Sequence, residues 1–321
     1  MAYPTSASEV GLTVAKSSLN PNSGTTTLSG NFGLIEGQRY DGRVVIANGA
    51  VGELRNVWFA NVEDNQRHIW VQQGAVGTDV TLRDFEVGIS AEDGEEFLGG
   101  DGSWDSTYGA QAGIYMVSGE FQVMRLINGN IHHVTDGIWP AGWMTVQHCL
   151  LHDFVLLADG DHSDGVQIGF GVLQRFYMVD SNVDHLLSAD SPLAVDAGAP
   201  DRILNRAVWI KPDLADIGEV IVHRSRLDSE GFYVGATFDN GTHTGTLTGP
   251  VVWDTVTLGS SASEDVIEDQ TAEDFVSHLI DVTGMVDQAG TGTLPVYGVK
   301  AHTPSLMFPS AVAGVELRTG G

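Results

Sequence analysis

Seven short segments of this chain align on one apolar pattern: GRVVIANG, HIWVQQG, GIYMVSG, GIWPAG, GVQIGFG, AVWIKPD and GFYVGAT. In register, one column holds Val44, Ile69, Ile114, Ile138, Val166, Val208 and Phe232. A second, two residues on, holds Ile46, Val71, Met116, Pro140, Ile168, Ile210 and Val234. Every member of both is apolar. Successive side chains of a strand point to opposite faces, so these two columns are expected to face one interior together. After a variable turn each segment is followed by a partner: ELRNVWFAN, DVTLRDFEVG, VMRLINGNIHH, MTVQHCLLHDF, FYMVDSNVDH, VIVHRSRLDS and VVWDTVTLGS. There Leu54, Leu82, Leu126, Val146, Met178, Val222 and Val252 share a column, and five residues on stand Phe59, Val87, Ile131, Leu151, Val183, Leu227 and Thr257. Between these columns lies a polar residue: Asn56, Asp84, Asn128, His148, Asp180, Arg224 or Asp254. Apolar positions of opposite parity on either side of it predict a bend, which Asx side chains favour by bonding to neighbouring backbone.

The first column recurs at intervals of 25, 45, 24, 28, 42 and 24 residues, a unit of about 24 with two enlarged connections near residues 91–112 and 188–205. Both enlargements leave from the same point of the unit, so they are predicted to project on one side. A unit this short cannot bury its apolar face alone; stacked about 4.8 Å apart, such units share a continuous interior and satisfy each other's backbone. The 40 glycines and 18% charged residues also favour turns and short strands over long surface helices. A β-propeller, the main rival, needs about 40 residues and four strands per blade, a poor fit to this unit.

The periodicity, the Asx bends and the Asp-Gly-aliphatic corners DGI (136–138) and DGV (164–166) resemble the right-handed parallel β-helix family. That family includes pectate-lyase-like enzymes, polygalacturonases and phage tailspikes. The resemblance covers about residues 42–258 and implies an all-β, single-stranded right-handed parallel β-helix of about seven coils with terminal caps. Residues 1–41 are expected to form an N-terminal cap or attachment segment. Residues 259–321 are expected to form a C-terminal cap or oligomerisation segment, with a helix near 271–282 followed by β-like PVYGVKA and VAGVEL.

A formal charge of -27, from 42 acids against 15 bases, repels phosphate backbones and anionic membrane surfaces, which argues against nucleic acid as a partner. No run of 18 apolar residues predicts membrane insertion, and no basic segment followed by an apolar stretch marks an export signal. The one cysteine, Cys149, leaves no intramolecular disulfide and no cysteine-based zinc cluster; it is expected to be a core thiol.

Two constellations carry the functional expectations. Between the inward columns runs an outward one, Val45, Trp70, Tyr115, Trp139, Gln167, Trp209 and Tyr233. Trp70, Tyr115, Trp139, Trp209 and Tyr233 form a stripe of rings that is costly to leave in water, so a neighbouring subunit, a polysaccharide or the chain itself should cover it. The corner before the first strand reads Gly42, Arg67, Ala112, Asp136, Asp164, Arg206 and Glu230, which puts Asp136 and Asp164 on adjacent coils, with His162 two residues before Asp164. Two such carboxylates serve as acid and base, or acid and nucleophile, in glycoside hydrolysis when their environments push their pKa values apart. Asp before Gly is equally ordinary turn chemistry. A further outward column, His132, His152, Asp184 and Asp228, lies near the same corner. His132/His133 and His152/Asp153 read as surface ladder residues instead of zinc ligands. Calcium suits the many Asp side chains, but no D-x-D-x-D-G loop assigns a site, and no cofactor motif is present.

The similarity to phage β-helix proteins implies a virion structural protein: a minor tail, tail-tip or spike protein, or a capsid decoration. It also implies a homotrimer that assembles with other virion proteins, with host cell-surface polysaccharide as a further partner. The alternative is a polysaccharide lyase or glycoside hydrolase acting at Asp136, Asp164 and His162.

Overall fold

The computed structural model describes residues 3–60, 67–74, 77–89, 110–117, 122–154, 163–184, 204–211, 215–229, 232–236, 245, 247–249, 251–259, 267–269, 280–281 and 285–286. Among these, the chain is almost wholly β, in two parallel sheets of sixteen and nine strands. In the nine-stranded sheet the strands follow sequence order: Thr26–Leu28, Val44–Ile46, Arg67–Val71, Ala110–Met116, Val134–Trp139, Ser163–Ile168, Leu204–Ile210, Phe232–Ala236 and Ile267–Asp269. Between each and the next the chain crosses to the sixteen-stranded sheet and returns, an arrangement compatible with a parallel β-solenoid.

The first column pairs as its spacing predicts, Val44 with Ile69, Ile69 with Ile114, Ile114 with Ile138, Ile138 with Val166 and Val166 with Val208. All six lie in the central core with no exposed surface. The bends are equally regular. Asn56, Asp84, Asn128, His148, Asp180 and Arg224 adopt φ between 43° and 54°, the left-handed region that Asn and Asp tolerate better than other residues with side chains. At the bend, strands such as Thr78–Val87 and Gln122–His132 turn while pairing continues on both sides. Later circuits split there, as Gly142–Gln147 and Leu150–His152 do. The carboxylate Oδ1 of Asp84 accepts from the Asn128 side-chain amide at 2.7 Å, and Arg224 grips both oxygens of Asp180 at 2.8 and 2.7 Å.

The last circuit departs from the expected columns. Val208 pairs with Val234, and Phe232 stands opposite Arg206, two residues from its predicted place. On the other sheet Val222 pairs with Trp253 instead of Val252, the bend falls at Thr255 instead of Asp254, and Leu258 instead of Thr257 stands opposite Leu227. Burial decides that one-residue shift, because it carries the large Trp253 indole into the core and turns Val252 outward.

Parallel pairing also extends beyond residues 42–258. Thr26–Leu28 pairs with Val44–Ile46, Asn31–Glu36 and Gln38–Tyr40 pair with Val51–Phe59, and Asn20–Asn22 pairs with Gln38–Tyr40. Residues 20–40 thus contribute paired strands to both sheets. The segment before them runs lengthwise along the outside. Asn182 donates to the Pro4 carbonyl at 3.0 Å, Gly11 N–H donates to the Asn128 carbonyl at 3.2 Å, and Thr13 donates to Asn56 from its amide and its hydroxyl. At the other end Ile267–Asp269, Ile280–Asp281 and Met285–Val286 add one strand to each line of pairing. The end of the helix expected near 271–282 is therefore strand; residues 271–279, PVYGVKA and VAGVEL lie outside the described residues.

Candidate functional site

Asp136 and Asp164 lie on the strands Val134–Trp139 and Ser163–Ile168, whose residues are buried without exception, and not in open turns. The glycines that follow them explain this corner. A Cβ on Gly137 would lie 2.4 Å from the Gly165 carbonyl oxygen and 2.9 Å from Leu151 Cδ2, and one on Gly165 would lie 2.5 Å from Val183 Cγ1. Glycine here lets neighbouring strands and core side chains approach the backbone more closely than a side chain would allow. Asp136 Oδ1 accepts the Asp164 backbone N–H at 2.9 Å, and its Oδ2 accepts the Trp139 indole N–H at 2.8 Å. Asp164 has no exposed surface and faces Arg206, Nη1 to Oδ1 3.7 Å. The two carboxylates are therefore neighbours, as their spacing predicts, but both oxygens of Asp136 are engaged, one by the next strand and one by the indole of its own strand. Arg206 stands between Asp164 and Phe232, not Glu230. His162 lies outside the described residues.

The ring stripe forms along the same strands. Trp70 pairs with Val45 and Tyr115, Tyr115 with Trp139, and Trp209 with Gln167. Tyr233 does not extend it, because the two-residue shift sets Gly235 opposite Trp209. The chain itself covers much of the stripe. Trp139, 8% exposed, stacks on Phe170 at 4.6 Å and meets Tyr115 edge-on at 5.1 Å. Trp209 lies between the Arg206 guanidinium, 4.2 Å from its ring centre, and the Lys211 ammonium at 4.6 Å. Arg67 lies 4.1 Å over Tyr115, and Arg43 5.3 Å over Trp70. These cations were not singled out by the sequence pattern. The available signal was an arginine three residues before a tryptophan, at Arg67 and Arg206, but Arg67 covers rings of the following circuits instead of Trp70. Trp70 and Tyr115 remain half-buried.

A second polar cluster lies at the far end of the bent strands. His132 and His152 pair across neighbouring strands as predicted, but they and His133 and Asp153 are buried, not surface ladder residues. His132 Nε2 lies 2.9 Å from Glu86 Oε1, and His132 Nδ1 lies 2.5 Å from His133 Nδ1. A carboxylate only accepts, so neutral His132 donates from Nε2 and accepts at Nδ1 from His133. His152 faces Asp153 Oδ2 at 2.8 Å and Asn130 Oδ1 at 2.7 Å. Burial, and then the neighbouring His132, push His133 well below the ordinary imidazole range; burial pushes His68 down to about 3. Burial alone would raise Glu86, but the hydrogen bond from His132 and the ammonium of Lys16 hold it below the ordinary carboxylate range. Further along the row Arg226 bridges Asp184, at 2.8 Å, and Asp228.

Among the described residues no three His, Cys, Asp or Glu side chains converge to hold a metal ion. Cys149 is a buried thiol as expected, pushed up to about 12 by burial, and its S–H points to the carbonyls of Gln147 and Leu126. No family model matches the chain, nor does any curated protein or solved structure.

Proposed function

We propose that the two sheets are faces of a right-handed parallel β-helix of about seven coils, and that the chain is a non-catalytic structural protein of a phage particle. The observation that carries this reading is the closed Asp136 arrangement. An acid or base must keep an oxygen for substrate, whereas both Asp136 oxygens already hold N–H groups of the chain's own strands. The burial of Asp164 and the cations laid on Trp209 and Tyr115 favour the same conclusion. The particle, the trimeric state and the placement among other virion proteins rest on the resemblance of the repeat pattern to phage β-helix proteins alone. Half-buried Trp70 and Tyr115 are the rings left for a host surface glycan.

Immunogold labelling of isolated virions with an antibody to the chain tests this reading, and label on the particle is expected. Unlabelled particles overturn it. So does a purified chain that shortens an acidic polysaccharide and loses that activity, but not its stability, in Asp164→Asn.

A further inference from the structure

Lys16 Nζ and His132 Nε2 bind the same oxygen, Glu86 Oε1, at 2.6 and 2.9 Å. Glu86 and His132 are each more than nine-tenths buried, while Lys16 reaches in from the lengthwise N-terminal segment, its side chain 43% exposed. One carboxylate balances one cation. With neutral His132 that cation is Lys16, whose alkyl chain ends 4.4 Å over the Trp58 ring. A protonated His132 is a second cation on the same oxygen, in a setting where water screens their repulsion poorly.

We propose that residues 3–19 form an acid-released strap, latched by Lys16 on Glu86 and unlatched when a proton on His132 takes over that carboxylate. The rest of the strap is held by one hydrogen bond each to Asn182 and Asn128, two from Thr13 to Asn56, and the packing of Leu12 and Leu19 with Trp58 and Ala60; Gly11 lies against Asn130, the residue that also holds His152.

The charged and titratable groups facing the latch among the described residues come from five directions. They are Glu86 itself; His133 on the other nitrogen of His132; His152 with its ring 5.5 Å from that of His132, followed by Asp153; His68 from the nine-stranded sheet; and Lys16 from the strap. Asp184, next in the row after His152, is held by Arg226. Burial, opposed by Glu86 and aided by His152 and Lys16, holds His132 below its ordinary value. A group whose value is lower in the latched form than in the released one favours the latched form at high pH, and the preference falls as pH drops and the group gains its proton. Glu86, held below the ordinary carboxylate range, stays ionised while His132 does so. Glu9 on the strap feels an opposing attraction to His148, but it is fully exposed and screened by solvent.

The test uses the full chain with a nitroxide on Ser8→Cys, an exposed strap position; buried Cys149, with its raised thiol pKa, does not compete for the label. Between pH 8 and pH 5 the label is expected to pass from mainly restricted to mainly mobile, with the β-sheet circular dichroism unchanged. In His132→Gln, which keeps a donor to Glu86 but gains no proton, the label stays restricted at pH 5. A label restricted from pH 8 to 4.5 in the parent chain, or His132→Gln releasing at the parent's pH, overturns the proposal. Should His132→Gln lack the native dichroism, Lys16→Met decides: a mobile label at pH 8 supports the latch and a restricted one refutes it.

Discussion

Single residues in this protein serve by bonding to the next circuit of chain. Asp136 is the clearest case, since its two oxygens tie the Asp164 backbone and the Trp139 indole to one side chain. Asn in its place keeps one accepting oxygen, so one buried N–H loses its partner, at a cost of about 1–3 kcal/mol. Asp136→Asn is therefore expected to lower the urea unfolding midpoint. A dedicated catalytic acid would predict unchanged stability with lost turnover. The bend residues follow the same rule: an Asx side chain that relieves a left-handed backbone also bonds across strands, as Asn128 does to Asp84. Arg224 occupies the same conformation without being Asx, and its bidentate hold on Asp180 offsets the strain.

At the scale of the strand, register matters more than propensity. In VVWD all three apolar residues suit a buried strand, and only the match to Ile217–His223 puts Trp253 inside and Val252 outside. Truncating Trp253 to Ala should cost about 3–5 kcal/mol, whereas Val252→Ala should cost less than about 1 kcal/mol. Chemical denaturation of the two variants distinguishes this register from the one the bare pattern suggests, which reverses the order. The shift of two residues at Phe232–Ala236 is of another kind. An even-numbered shift leaves the parity of the pattern unchanged, so alternation cannot detect it, and yet it sets Gly235 instead of Tyr233 opposite Trp209.

For the whole molecule, charge is the dominant long-range term. With a net charge of -27 the chain repels itself, and the described bases are committed locally: Arg55 and Arg83 to Glu53, Arg125 to Asp79, Arg175 to Glu219, and Arg67 and Arg206 to rings. Salt that shortens the Debye length from about 30 Å to about 3 Å weakens the summed repulsion more than these short contacts. The thermal unfolding temperature is thus expected to rise between 0.01 and 1 M ionic strength. A fall would mean that the ion pairs outweigh the global repulsion.

The sequence by itself determined the parallel stacking of like positions, the two apolar columns of each circuit and the bends. Each rests on local alternation and on residue types suited to one backbone conformation, information carried within a few neighbouring residues. Tertiary structure decided the rest. The register of the last circuit depended on which large side chain the core would accept. The burial of Glu86, His132 and His152 depended on contacts between distant parts of the chain, including a strap tied by Asn182 to Pro4 across 178 residues. A histidine at an outward position reads as surface in any pattern of alternation; only the segments lying over it determine whether water reaches it.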